Sequence, residues 1–233
     1  MKLGIQEAAR LLSVSEKTVY RWVRGGLLPV YRVNGQYRFH RPELLAWAIS
    51  RRMNVPEEVF HDSLRVTGVI PTLAEAVQRG GIFYRVQGGS KEDALRFVIE
   101  ATRLGPQVES GYLLNLMLAR EGVAPTAVGE GVAIPQLVYP NALELECPMV
   151  TLAFLEDPID FDSFDGKPVQ VLFCLFSASL RGYHILLNRL YYALRDPALQ
   201  QSLRKQAGRD ELLGHFARIE SGLRKSVEAV TPD

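Results

Sequence analysis

One short segment near the start of the chain concentrates basic and hydrogen-bonding side chains. Its candidate residues are Ser15, Lys17, Thr18, Tyr20, Arg21 and Arg24. Arg, Lys and hydroxyl side chains bind the phosphates of DNA and also donate to base edges in its grooves. We therefore predict that this segment binds double-stranded DNA.

A second segment, "GEGVAIPQLVYP" at 129–140, combines glycines with a glutamine. Backbone N–H groups from Gly129 to Gly131 could bind a small anion. Gln136 donates and accepts hydrogen bonds, but its amide lone pair is delocalised into the carbonyl, so it cannot serve as a nucleophile. The segment therefore either binds an anion or has lost its role, and its sequence excludes covalent transfer at position 136.

The first segment requires a helix to present it. Ile5, Ala8, Ala9 and Leu12 have the spacing of one helical face, and Ser15 is a good N-cap for a second helix over residues 16–23. Two short helices joined by a tight turn form a helix-turn-helix. Its second helix would present the candidate residues.

A hairpin and a third helix follow. Residues 29–33 and 36–39 alternate around Asn34-Gly35, a strong hairpin signal, and Arg32 and Arg38 predict one basic hairpin face. Arg41-Pro42-Glu43 predicts the start of a helix that ends near Arg52.

The segment "EAARLLSVSEKTVYRWVRGG", continued by "YRFHRPELLAWA", resembles the winged helix-turn-helix of the excisionase and MerR-like DNA-binding family over residues 1 to about 52. The resemblance implies that the second helix lies at the major groove. It also implies that Arg32 and Arg38 of the wing lie at the DNA backbone or the minor groove. A basic face that contacts protein instead of DNA is the alternative.

The remaining chain alternates helices and strands. Helices are expected at 73–79, 90–103, 110–121, 183–195 and 210–220, and strands at 81–86, 149–155 and 169–176. The pattern predicts an α/β sandwich with a mixed sheet after the small winged domain. The expected organisation is a DNA-binding domain at 1–53, a linker at 54–72, an α/β domain at 73–222 and a tail at 223–233.

The α/β part resembles the fructose/mannitol class of phosphotransferase-system enzyme IIA domains, which includes nitrogen-regulatory members. The resemblance depends on "SKEDALRFVIEA", "LLNLMLAREGVAPTAVGEGVAIP", "DGKPVQVLFCLFS" and "YHILLNRLYYALRDPALQQSLRKQ", the last as one following helix. In that family a histidine after "G-x-A-I-P" accepts phosphate from the carrier HPr and passes it on.

The resemblance places the acceptor at position 136, which is Gln136 in this chain, the second histidine at His184 and the arginine before "E-G" at Arg120. Three alternatives follow. The loop has lost its role; the domain still binds a phosphocarrier or an anion through Arg120, His184, Gly129 and Gly131; or another residue such as His184 is phosphorylated.

Composition narrows the function classes. Residues 1–60 hold ten Lys and Arg against five Asp and Glu, a net of +5, whereas the remainder holds 17 against 21, a net of −4. A basic domain joined to an acidic one indicates different partners for the two. No signal peptide or membrane span is evident, so a cytoplasmic protein is expected.

No cofactor or metal site is expected. Cys147 and Cys174 lack zinc-ligand spacing and are interpreted as buried free thiols, and the acidic loop over 156–165 lacks the order of a calcium-binding loop.

The expected function is therefore a DNA-binding regulator, not an enzyme, that acts as a homodimer and senses an HPr-like phosphocarrier, a ligand or another regulatory protein. A phosphotransferase component and a protein adaptor are the rivals.

Overall fold

The computed structural model of the protein describes residues 2–33, 35–51, 53, 55–56, 59, 70–106, 108–137, 143 and 145–230. The chain divides into two compact units, residues 1–59 and 60–233, and each has its own buried core. Most of the predicted linker, 54–72, lies outside the described residues, so the boundaries at 53 and 73 stay predictions.

The first unit contains the predicted helix-turn-helix. Its elements are β1 (Lys2–Leu3), α1 (Ile5–Leu11), α2 (Glu16–Arg24), β2 (Tyr31–Val33), β3 (Gln36–His40) and α3 (Arg41–Ser50). In the turn between α1 and α2, Ser13 has a φ of 54° and the Val14 N–H donates to the Ala9 carbonyl at 3.0 Å. The Ser15 hydroxyl accepts the Thr18 N–H at 3.2 Å, which confirms the predicted N-cap of α2.

Apolar side chains from the three helices and the hairpin form the core of this unit. Val19 of α2, Phe39 of β3 and Leu44 of α3 are fully buried, and the rings of Trp22 and Trp47 lie 5.3 Å apart. Since α2 buries only this side, its polar side chains lie on the outer surface.

The hairpin corrects one expectation. The three-stranded sheet has the order β1-β3-β2, and its antiparallel register places Arg32 opposite Tyr37 and Arg38 opposite Tyr31. Residues directly opposite each other share a face, and successive residues alternate faces. Arg32 and Arg38 therefore lie on opposite faces, and the prediction of one basic hairpin face is wrong.

The second unit is an α/β fold around a mixed sheet. Its elements are α4 (Leu73–Gly80), β4 (Ile82–Val86), α5 (Lys91–Ala101), α6 (Ser110–Val123), β5 (Ala127–Gly129), β6 (Val132–Ala133), β7 (Met149–Ile159), β8 (Val169–Phe176), α7 (Leu180–Ala193), α8 (Pro197–Arg204) and α9 (Arg209–Val230). The strand order is β4-β7-β8-β6-β5, in which β4 with β7 and β6 with β8 are parallel and the other pairs antiparallel. This architecture confirms the predicted fold class.

Helices cover both faces of the sheet. Cys174 packs into a cluster with residues of α5 and α6, whereas the adjacent Phe173 meets Phe216 of α9 with ring centroids 6.2 Å apart. Neighbouring residues of a strand point to opposite faces, so the helices form two outer layers. β8 is apolar apart from the half-buried Gln170, which follows from burial of the strand on both sides.

The helix expected over 183–195 is confirmed as α7. The single longer helix over 183–206 that the family resemblance implies is broken, because the Asp196 carboxylate accepts the Leu199 N–H at 2.9 Å and Pro197 opens α8. The glycine-rich loop is a tight hairpin between β5 and β6, with Glu130 at φ 54° and Gly131 at φ 76° in the turn. Positive φ at both central positions matches the right-handed strand twist.

Candidate functional site

The outer side of α2 forms a shallow concave surface. It is lined by all six candidates of this segment, Ser15, Lys17, Thr18, Tyr20, Arg21 and Arg24, and additionally by Glu16. The side chains of Lys17, Arg21 and Arg24 are exposed and form no ion pair with any residue that the structure describes. Three cations that are not neutralised within the described chain are available to a polyanion.

The two hydroxyl residues on this surface also hold the helix start. The Ser15 and Thr18 hydroxyls lie 3.0 Å apart, and the Ser15 hydroxyl accepts the Thr18 N–H as well. The Ser15 hydroxyl thus provides a hydrogen-bond acceptor for one of the N–H groups that have no partner within the first turn of the helix. A helix N-terminus with fixed hydroxyls is also suited to phosphate contact.

Aromatic contacts join α2 to the hairpin. Tyr20 meets Tyr37 edge to face with ring centroids 6.2 Å apart. The Arg32 guanidinium lies 5.2 Å from the centroid of the Tyr37 ring, and its Nη2 donates to the Tyr37 hydroxyl at 3.2 Å. Tyr37 therefore holds Arg32 on the hairpin face that contacts α2.

Arg38 has a different environment. It is half-buried, and its Nη2 donates to the Gln36 Oε1 at 2.6 Å. Since it lies on the other hairpin face, the structure does not place it on the face shared by Tyr37 and Arg32. Its predicted role in DNA binding has less structural support than that of Arg32.

The second candidate site lies at one edge of the large sheet. β6 and β8 are parallel, with Val132 beside Val171 and Ala133 beside Leu172, so both strands end at the same edge. Gln136 follows three residues after β6 and is only 6% exposed. The N-terminal turn of α7 follows β8 after a short connection. Ligands of open α/β sheets commonly bind at such carboxyl ends of strands.

Arg120 and His184 lie on the helices near this edge. The buried Arg120, near the end of α6, donates from Nη1 to the Ala124 carbonyl at 2.9 Å. His184, on α7, is half-buried and meets the adjacent Tyr183 ring at 5.6 Å. Burial raises the pKa of Tyr183 well above its ordinary value, the nearby Tyr191 adds to this rise, and the positive charge of Arg120 opposes it. Arg120 is thus close to the turn of α7 that contains His184.

The hairpin turn with Gly129 and Gly131 already has intramolecular partners. The Glu130 N–H donates to Asp165 Oδ2 at 2.8 Å. The Glu130 carboxylate binds Lys167 Nζ and Arg204 Nη2, each at 3.0 Å. Partial burial would raise the pKa of Asp165, but its hydrogen bonds from Ser163, Glu130 and Lys167 lower that pKa overall. The N–H groups from Gly129 to Gly131 were predicted to bind an anion, and the middle one, that of Glu130, is therefore already bound to a carboxylate of the chain.

Sequence reasoning missed a buried carboxylate beside Arg120. Glu121 is buried and accepts the Thr126 N–H at 3.1 Å and the Thr126 hydroxyl at 2.5 Å. Burial raises its pKa, while these hydrogen bonds and the charges of Lys91 and Arg120 oppose the rise. Its position in "AREGV" follows the helical pattern but carries no signal of its burial.

Two further structural observations concern metals and membranes. Among the described residues, no group of three or more His, Cys, Asp or Glu side chains is arranged to hold a metal ion. None of the helices in the described part of the chain combines the length and apolarity needed to cross a bilayer.

Family models match both units of the chain. Residues 75–218 match the family described as "Phosphoenolpyruvate-dependent sugar phosphotransferase system, EIIA 2", and residues 3–52 match "Helix-turn-helix domain". The first match covers more than half of the chain, and the second supports the helix-turn-helix seen in the structure.

Individual relatives agree with the larger match. A nitrogen regulatory protein of Bradyrhizobium diazoefficiens is 36% identical over 141 residues, which cover 59% of this chain and 88% of that protein. A nitrogen regulatory protein of Pseudomonas aeruginosa is 30% identical over 128 residues, 54% of this chain and 81% of that protein.

A solved structure shows the same fold. The nitrogen regulatory protein IIA-Ntr of Neisseria meningitidis superposes with a TM-score of 0.54 at 22% identity, over 62% of this chain and 98% of that chain.

Proposed function

We propose that this chain, which belongs to the phosphoenolpyruvate-dependent sugar phosphotransferase system EIIA 2 family, is a DNA-binding transcriptional regulator whose EIIA domain acts as a sensor. A helix-turn-helix domain at residues 3–52 is fused to that EIIA domain. The two relatives described above are named nitrogen regulatory proteins, which supports a regulatory role.

The observation that carries the sensor proposal is Gln136. By family resemblance this position is that of the phosphate-accepting histidine, and here it holds a buried carboxamide. A carboxamide cannot accept a phosphoryl group as an imidazole does, because its nitrogen lone pair is delocalised. The EIIA domain would then respond to binding alone, without becoming a phosphorylated intermediate at position 136.

The sensed partner is a phosphocarrier of the HPr type, a small anion or another regulatory protein. Arg120 and His184 are the residues proposed to contact it. An arginine offsets phosphate charge, and an imidazole donates a hydrogen bond to a phosphate oxygen. Burial of Arg120 supports this role, because its charge is screened less than that of a surface arginine.

On the DNA side, α2 is proposed to lie in the major groove and Arg32 at the adjacent backbone. The exposed Lys17, Arg21 and Arg24 supply the cations for phosphate and base contacts. One helix of this length reaches few base pairs, so we propose that two copies bind one operator. Analytical ultracentrifugation with a palindromic site would refute this arrangement if one copy bound tightly to a half-site.

The direct test of the sensor is intact-mass measurement after incubation with phosphoenolpyruvate, enzyme I and HPr. Wild type is expected to gain no phosphate, and Gln136→His is expected to gain one, because the carrier-docking surface then presents an acceptor. Gln201→His, at an exposed position of α8, is the matched control for a new histidine elsewhere in the EIIA domain.

One result would contradict the proposal, and a second would narrow the identity of the sensed partner. Labelling of wild type that is lost in His184→Asn would favour the rival function, a phosphotransferase component phosphorylated at His184. Absence of labelling in both wild type and Gln136→His would rule out phosphocarrier docking and leave a ligand or another protein as the signal. DNA affinity measured with and without unphosphorylated HPr then tests whether the docked carrier changes DNA binding.

A further inference from the structure

One acidic side chain lies on the otherwise basic surface of α2. Glu16 is exposed and lines the same concavity as Lys17, Arg21 and Arg24. Its carboxylate has no hydrogen bond or ion pair with any residue within the described ranges. Unlike Glu7 of α1, whose Oε2 accepts the Gly4 N–H at 2.7 Å, Glu16 accepts no backbone N–H of the described residues.

A carboxylate on this surface opposes binding to DNA phosphates. Each duplex presents dense negative charge, so removal of an acidic side chain from a DNA-facing surface raises non-specific affinity. Glu16 therefore weakens binding unless it meets a hydrogen-bond donor in the complex. In the major groove the donors are the amino groups of cytosine and adenine.

Cytosine is the better partner for a carboxylate. Its major-groove edge offers the N4 amino donor, whereas adenine places the N7 acceptor beside its N6 donor, and N7 repels a carboxylate oxygen. We infer that Glu16 is a specificity-determining residue that accepts a hydrogen bond from a cytosine N4 amine in the operator. This inference rests on the proposed DNA-binding function of α2 and names the base that one of its residues selects.

Support of the helix N-terminus is the competing role of Glu16. An acidic residue in the first turn stabilises a helix modestly through the helix dipole. The two roles predict opposite changes in the affinity for random DNA when Glu16 is removed, so binding measurements can distinguish them. Loss of helix support weakens binding to every DNA sequence, whereas loss of a cytosine contact weakens only cognate binding and strengthens binding to random DNA.

The test is selection of bound sequences from a randomised duplex library, with the full-length protein in three forms. Wild type should enrich sites with an invariant cytosine, preferred about tenfold over other bases. Glu16→Ala should lose the preference at that position alone. Glu16→Gln should replace it with adenine, since a glutamine amide pairs with adenine N6 and N7.

Direct affinity measurements complete the test. Both variants should bind random duplex DNA roughly two- to fivefold more tightly than wild type, because one negative charge is removed. Glu7→Gln is the control, an exposed first-turn glutamate on α1, and should leave the selected sequence unchanged.

The outcomes distinguish failure of the cytosine inference from failure of the proposed DNA-binding function. If wild type enriches a sequence and neither Glu16 variant alters it, the cytosine inference is wrong while DNA recognition stands. If wild type enriches no sequence and its binding is independent of salt, the proposed DNA-binding function fails and the inference fails with it.

Discussion

Replacement of Arg189 by methionine is expected to destabilise the EIIA unit strongly. Arg189 of α7 and Glu220 of α9 form an ion pair at 3.4 Å whose side chains are 3% and 5% exposed. Arg189 Nη1 also donates to the Pro71 carbonyl at 2.7 Å, and Glu220 Oε2 accepts the Leu73 N–H at 2.6 Å. The pair thus joins two helices to the chain segment that enters α4.

The size of the effect follows from burial. Removal of one partner leaves the other charge in a low-dielectric interior, which costs about 3–5 kcal/mol. For a unit of this size each kcal/mol lowers the melting temperature by about 2–4 °C, so Arg189→Met should lower it by about 6–20 °C. Replacement of both residues, as Arg189→Met with Glu220→Leu, should cost less than the single change because no unpaired charge remains.

Urea denaturation and thermal melts of the full chain would measure this effect. Arg218→Met is the matched control, since Arg218 pairs with Asp196 at 3.0 Å but is 56% exposed and should contribute less than about 1 kcal/mol. Equal losses for Arg189→Met and Arg218→Met would refute the reasoning. A double variant less stable than the single one would also refute it.

Three further results are expected. Arg32→Ala should reduce the salt dependence of DNA binding by about one counterion, whereas Arg38→Ala should not, which titrations at several salt concentrations would measure. Glu121→Gln should gain stability relative to wild type as pH rises from the ordinary pKa of a glutamate through the raised pKa of Glu121, because the fold favours the protonated carboxyl group and wild type loses that stabilisation over this range. A thiol reagent should label Cys147 in the folded protein and Cys174 only after unfolding, since burial raises the pKa of the Cys174 thiol.

The helix-turn-helix could be predicted because its signals are local. The apolar spacing of α1, the Ser15 cap and the glycines after α2 act within a few residues of where they stand. Such short-range preferences determine helix ends and the exposed side of a helix. The same information places Lys17, Arg21 and Arg24 on the outer surface without knowledge of the rest of the fold.

The faces of the hairpin could not be predicted in the same way. Arg32 and Arg38 are six residues apart, which would place them on one face of a continuous strand. In a hairpin the face depends on which residues lie opposite each other, and here Val33 lies opposite Gln36. The register therefore depends on turn length, and a one-residue shift would have placed both arginines on the same face.

The glycine-rich turn shows why a ligand site can differ from its sequence motif. Glycines at 129 and 131 predict free N–H groups, but the folded chain brings Asp165 to the Glu130 N–H from 35 residues away. Lys167 and Arg204 approach the same turn and bind the Glu130 carboxylate. An incoming anion would have to displace the Asp165 carboxylate from this N–H and compete with the Glu130 carboxylate for Lys167 and Arg204, and the fold fixes the local concentration of both carboxylates. The turn is consequently a poor anion site, and an anion sensed by the EIIA domain should bind through Arg120 and His184 instead.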